Sequence, residues 1–179
     1  MLNRFNTVRI LDTIEMIEKY RLDIRTVTMG ISLLGCTRPT MEATAEAVYD
    51  RVTARASQLV EVCEGIEAEL GIPIVNKRIS ITPVSLIVAG SDGDPVDVAR
   101  ALDRAAAETG VDFVGGYSAL VEKGATTAEK ALIRSIPEAL AETNLVCSSV
   151  NIASSRAGIN MNAAAQMGRI IKEAAELTK

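Results

Sequence analysis

Three β-branched runs in this chain carry a file of mostly short polar side chains along one face, and that asymmetry restricts the fold more than any motif does. Side chains alternate across a strand. In VNKRISIT, residues 75–82, Asn76, Arg78, Ser80 and Thr82 therefore share one face, while Val75, Ile79 and Ile81 share the other with Lys77. In DIRTVTMGISLLG, Ile24, Thr26 and Thr28 oppose Arg25, Val27, Met29 and Ile31. In LVCSSVNI, Cys147, Ser149 and Asn151 oppose Val146, Ser148, Val150 and Ile152. Parallel strands covered on both faces read as continuous apolar runs. A one-sided file of Thr, Ser, Asn and Cys needs either water or an enclosed polar space, such as the inside of a ligand-binding barrel. Solvent faces usually carry Lys and Glu, so short neutral groups with one arginine fit the interior better.

Helical patterns separate these runs. Val8, Leu11, Ile14 and Ile17 recur at helical spacing as far as Tyr20, with Asn6 as the cap. A long helix is expected from Thr40 to Leu70. Its apolar stripe runs from Met41 through Val48, Ala56 and Cys63 to Ile66 and Leu70, and Gly71 ends it. VSLIVAG, after Pro83, fits either a short buried helix or a strand. A further helix opens at Asp94 and Pro95 and closes at Gly110. DFVGG reads as a short strand into a glycine pair, residues 126–143 as one or two helices interrupted near Pro137, and residues 162–177 as a final helix. Strands alternating with helices predict an α/β fold with a largely parallel sheet. A chain of 179 residues suits one domain, and four or five βα units amount to about half of a β/α barrel. A polar interior needs a cover, so a second copy in a homo-oligomer, or a complementary chain, is expected to complete the barrel. A bare monomer is expected to be aggregation-prone or only marginally stable.

Composition excludes several functions. The formal charge of -4 and the 3% aromatic content argue against a nucleic-acid surface. Apolar stretches are too short to cross a membrane, and the charged, amphipathic N-terminus does not read as a signal peptide, so a cytoplasmic protein is expected. Three widely spaced cysteines fit a reducing compartment rather than a disulfide framework. The absence of histidine removes the commonest metal ligand and the commonest general base, so no metal site and no Ser-His or Cys-His nucleophile is expected. DGDP, residues 92–95, reads as a helix cap rather than a calcium loop.

The candidate site centres on LVCSSVNIASSRAGINMN, residues 145–162, which runs from strand to helix without a carboxylate. Ser148, Ser149 and Asn151 on this run, with Ser80 on the second strand, offer short hydrogen-bonding groups for an anionic small molecule; a capped turn is the plainer reading of the loop. Arg25, Arg78 and Arg156 are the candidate anion partners, and each also fits a surface arginine. Gly115 and Gly116 either admit a ligand to backbone amides or form a tight turn. Cys147, the only thiol on a polar strand face, is the candidate nucleophile, against a packed and inert cysteine. With no histidine, proton transfer falls to Asp23, Glu122, Lys77, Tyr117 or Cys147, and Lys77 and Tyr117 are preferred for it.

DIRTVTMGISLLGC at 23–36, ELGIPIVNKRISITPVSLI at 69–87, GVDFVGGYSALVEKG at 110–124 and the run from Ser135 to Glu173 resemble the uncharacterised "PFL family", relatives by fold of pyruvate formate-lyase. The resemblance covers nearly the whole chain. It implies a cytosolic barrel of the glycyl-radical-enzyme type, of which this chain would be the N-terminal part, often encoded beside a small ACT-domain protein, which suggests amino-acid-linked regulation. It carries no established activity and leaves any cofactor open. Nothing in the chain resembles the RVxGY-like loop of a glycyl radical, so radical chemistry is not expected from it. The expected function is a polar site for a small anionic or carboxylate metabolite, serving a lyase or transferase. The alternatives are a non-catalytic amino-acid-binding module with an ACT-domain partner, and a structural half of an assembly.

Overall fold

The computed structural model describes residues 7–20 and 23–179. Four strands, β1 (Ile24–Ile31), β2 (Ile74–Ile81), β3 (Phe113–Leu120) and β4 (Val146–Asn151), form a parallel sheet in the order β1-β2-β3-β4. The helices are α1 (Thr7–Glu18), α2 (Met41–Ala56), α3 (Leu59–Leu70), α4 (Val84–Val88), α5 (Val96–Thr109), α6 (Thr127–Glu142) and α7 (Met161–Leu177). A small antiparallel hairpin, β5 (Ala153–Ser154) with β6 (Gly158–Ile159), follows β4. The expected α/β class with a parallel sheet is therefore what forms.

Strand order decides where the helices go. Crossovers between parallel strands are right-handed. When each crossover leads to the next strand in line, every connecting helix falls on the same face of the sheet. Burial follows that rule: Ile79, Ile81, Val114, Tyr117 and Val146 are buried, while Arg78, Ser80, Cys147, Ser149 and Asn151 are exposed. The core lies between the sheet and the α2, α5 and α6 layer, with Val48, Val52, Leu102, Leu132 and Ile133 almost fully buried.

Several elements differ from the sequence expectation. The predicted Thr40–Leu70 helix is two, because Gln58 leaves helical geometry at φ -110° and ψ 0° and α3 starts afresh at Leu59. A straight helix of that length would run about 45 Å, whereas an eight-residue strand spans only about 26 Å. The apolar stripe accordingly stops: Cys63 is buried as expected, but Ile66 and Leu70 are exposed. The terminator holds, since Gly71 takes the left-handed conformation at φ 67° and donates its N–H to the Glu67 carbonyl. α6 runs unbroken through Pro137, held by buried Leu132, Ile133 and Ile136. VSLIVAG supplies α4, a short buried helix. Asn6, the expected cap of α1, lies outside the described residues, as does the side chain of Val8.

Candidate functional site

Register brings the exposed faces of the strands into rows across the sheet. Thr28 pairs with Arg78, and Arg78 with Phe113. The next row is Gly30, Ser80, Gly115 and Cys147. Two of these four positions have no side chain and the other two are small, so the sheet is depressed there, beside the taller Arg78 and Phe113. The resulting concavity is about 550 Å³, within the range of small-molecule sites. Its walls include Thr28, Arg78, Ser80, Gly115, Cys147 and Ser149, and no carboxylate.

Arg78 is held but not neutralised. Its Nε donates to the Thr28 hydroxyl at 2.7 Å, and among the described residues it forms no ion pair. Both terminal nitrogens of the guanidinium remain available for a carboxylate or phosphate, which it grips bidentately. Cys147 is a free, exposed thiol in the same concavity.

The glycine pair builds a bulge. The β3–β4 register shifts between Gly115 and Tyr117, and Gly116 has φ 132°. A Cβ at Gly116 would come within 2.3 Å of the Ile81 side chain and 2.9 Å of its carbonyl oxygen, so glycine alone fits. The extra residue reverses the alternation beyond it. Tyr117, which simple alternation puts on the same face as Gly115, turns into the core, and Ser118 lines the concavity instead.

Of the residues singled out in the sequence, Arg78, Ser80, Gly115, Gly116, Cys147 and Ser149 come together here. The others do not. Tyr117 is fully buried with its hydroxyl 2.7 Å from that of Ser135, and burial pushes the phenol well above its usual range, so it stays protonated. Lys77 points to the helix side, where its ammonium donates to Glu67 at 3.1 Å; that hydrogen bond raises the lysine and holds it charged, unlike a base. Ser148 donates to the Tyr117 carbonyl at 2.7 Å. Asn151 is exposed at the end of β4, with its side-chain oxygen near the Ala153 N–H. Arg25 is exposed near the start of β1, and Arg156 sits in the turn of the β5–β6 hairpin. Asp23 is exposed, and Glu122 keeps one carboxylate oxygen buried without a partner just past β3. Phe113 and Ser118 line the site without having been singled out in the sequence. For Ser118 the adjacent glycines were the signal, because a glycine pair inside a strand marks a bulge.

Among the described residues no His, Cys, Asp and Glu group could hold a metal ion, and no helix is long and apolar enough to cross a membrane. Fold and site together define an α/β protein with a singly wound parallel sheet, helices on one face and a polar concavity on the other. Residues 15–179 match the family model described as "Uncharacterised ACR (DUF711)", and the chain belongs to that family. It is 75% identical over 170 residues to a UPF0210 protein of Corynebacterium glutamicum, covering 95% of this chain and 37% of that protein. It is 58% identical over 170 residues to a UPF0210 protein of Ruminiclostridium cellulolyticum, covering 94% of this chain and 38% of the relative. A UPF0210 protein of Listeria monocytogenes is 57% identical over 173 residues, 96% of this chain and 38% of the relative. The chain thus spans well under half the length of the curated relatives it matches. These matches correct the family expected from the quoted segments. A pyruvate formate-lyase-like family is not supported, and the reading of the chain as the N-terminal part of such a protein goes with it.

Proposed function

We propose that the exposed face of the sheet is one wall of a binding site for a small carboxylate-bearing metabolite. Arg78 anchors the carboxylate, Ser80 and Ser149 donate or accept hydrogen bonds, and Cys147 stands in the same concavity as the one candidate nucleophile. The observation that carries this reading is a lining with a guanidinium, three hydroxyl-bearing serines and no acidic group. Such a site selects for negative charge because nothing within it competes for the arginine. In this reading the sheet continues into a β/α barrel through further strands, which enclose the site. Parallel sheets are seldom left open on one face, and enclosure would strengthen the arginine's hold by lowering the local dielectric.

The test is a thermal-shift series against small mono- and dicarboxylates. A ligand at about a hundred times its Kd stabilises by about 2.7 kcal/mol. One carboxylate should raise the unfolding midpoint of the parent chain, Arg78→Ala should abolish the shift, and Cys147→Ala should keep it. Equal shifts in parent and Arg78→Ala overturn the assignment. Turnover of the stabilising ligand that vanishes in Cys147→Ala makes the site catalytic, of lyase or transferase type; stabilisation without turnover makes it a binding module.

A further inference from the structure

A second concavity, of about 410 Å³, lies beside β1. Its walls are Met29, Gly30, Ile31 and Ser32, with Arg51 and Arg55 from α2. Successive side chains of a strand leave on opposite faces, so four consecutive residues line one space only when that space lies along the strand's edge. β1 is the outermost strand and pairs with β2 alone. The concavity is therefore a slot in line with the sheet, along an edge that no strand among the described residues pairs.

The two arginines set what fits the slot. They stand one helical turn apart, hence on one flank of α2. Arg51 is half-buried, and its contact is a 3.4 Å hydrogen bond from Nη1 to the Ser32 carbonyl. Among the described residues neither arginine forms an ion pair, and Asp50, in an adjoining cleft, pairs with neither. Arg55 is exposed, so the pair presents unneutralised positive charge at the slot, and a carboxylate brought to it gains charge-assisted hydrogen bonds.

We infer that the free edge of β1 receives an extended segment bearing Asp or Glu on its helix-facing side. Its main chain pairs with β1 and its carboxylate engages Arg51 and Arg55, the mode of recognition by strand addition. The inference rests on the reading that the sheet continues beyond its four strands, and it narrows what continues it. A second copy of this chain would offer its own free edges, β1 and β4, whose helix-facing residues are Arg25, Val27, Met29 and Ile31 on the one and Val146, Ser148 and Val150 on the other. None is acidic. The segment is accordingly a complementary one rather than either edge of a second copy.

Two short peptides probe the edge, one alternating valine with glutamate and one alternating valine with lysine. Binding is followed by titration, and amide hydrogen exchange is read at residues 29–32. The glutamate peptide should slow exchange at those residues and bind at least about tenfold more tightly than the lysine peptide. Arg51→Glu with Arg55→Glu should reverse the preference, and Arg51→Gln with Arg55→Gln should erase it; circular dichroism establishes that each variant is folded. Equal affinities, or binding without protection at 29–32, overturn the inference. Concentration-dependent protection there in the chain alone, indifferent to both double variants, assigns the edge to a second copy and overturns it too. So does inorganic phosphate binding at the arginines without any peptide protection. The carboxylate shift at Arg78 is a separate readout, so the edge and the concavity can fail independently.

Discussion

The two faces of the sheet are made by the same strands and have opposite chemistry. Toward the helices, Ile79, Ile81, Val114, Tyr117 and Val146 are buried in the core. One residue away along the same strands, Arg78, Ser80, Cys147 and Ser149 stand on the exposed side. Buried apolar area stabilises at about 25 cal/mol per Å², so the helix face carries the fold. The exposed face contributes little to stability, which leaves its residues available for binding.

The comparison is most sharply tested within β2. Ile79→Ala, on the helix face and 1% exposed, should cost about 2–5 kcal/mol in urea unfolding, since a cavity is left among packed neighbours. A loss under about 1 kcal/mol would mean that this face is not where stability resides. Gly116→Ala should cost about 1–3 kcal/mol, through strain at positive φ and the clash with Ile81. It should also disturb the Ser118 side of the concavity, and an unchanged carboxylate response in this variant would detach the bulge from the site.

A smaller effect belongs to Glu67, which accepts from Lys77 and from the Ile74 N–H and so ties α3 to β2. The lysine hydrogen bond, followed by the Ile74 N–H, holds the Glu67 carboxyl below its ordinary 4.5. A group lowered on folding stabilises above its unfolded value and loses that contribution as pH falls through the folded one. The stability gap between the parent chain and Glu67→Gln should therefore be steady near neutral pH and shrink as pH drops below about 4.5. A gap that persists unchanged into acid would show that the ion pair is not its source. Lys77, raised above 10.5 by the same hydrogen bond, gives the mirror case, with its contribution lost as pH rises through the raised value. The smallest effect is expected on the exposed face, where Ser80→Ala and Ser149→Ala should each stay within about 0.5 kcal/mol of the parent. A loss of 2 kcal/mol or more, on the order expected for core positions, would break the distinction between the faces.

Much of this organisation was legible in the chain. Period-two polarity marked β2 and β4, and Gly71 and Gly110 marked helix ends that both take left-handed geometry at φ 67° and 70°. Arg78, Ser80, Cys147 and Ser149 could be named from alternation because those strands are regular where they line the site. Tyr117 could not be placed that way, since one extra residue at Gly116 inverts every later side chain of β3. Lys77 was misleading for another reason. Alternation gave its face, but its partner Glu67 arrives from α3, a helix that the sequence pattern merged with α2.

By itself the sequence determined the α/β alternation, the helix terminators and the residue types of the polar file. These follow from local rules of period, capping and composition that act within a few residues. The tertiary structure decided the order of the strands, and with it the gathering of all the connecting helices on one face. It also decided which polar residues share the concavity and left the edge of β1 beside Arg51 and Arg55. Those outcomes depend on contacts between residues some 20 to 50 positions apart, such as Arg51 with Ser32, Arg78 with Thr28, and Cys147 beside Gly115 beside Ser80. Such contacts form only when the packed helices hold the strands in register.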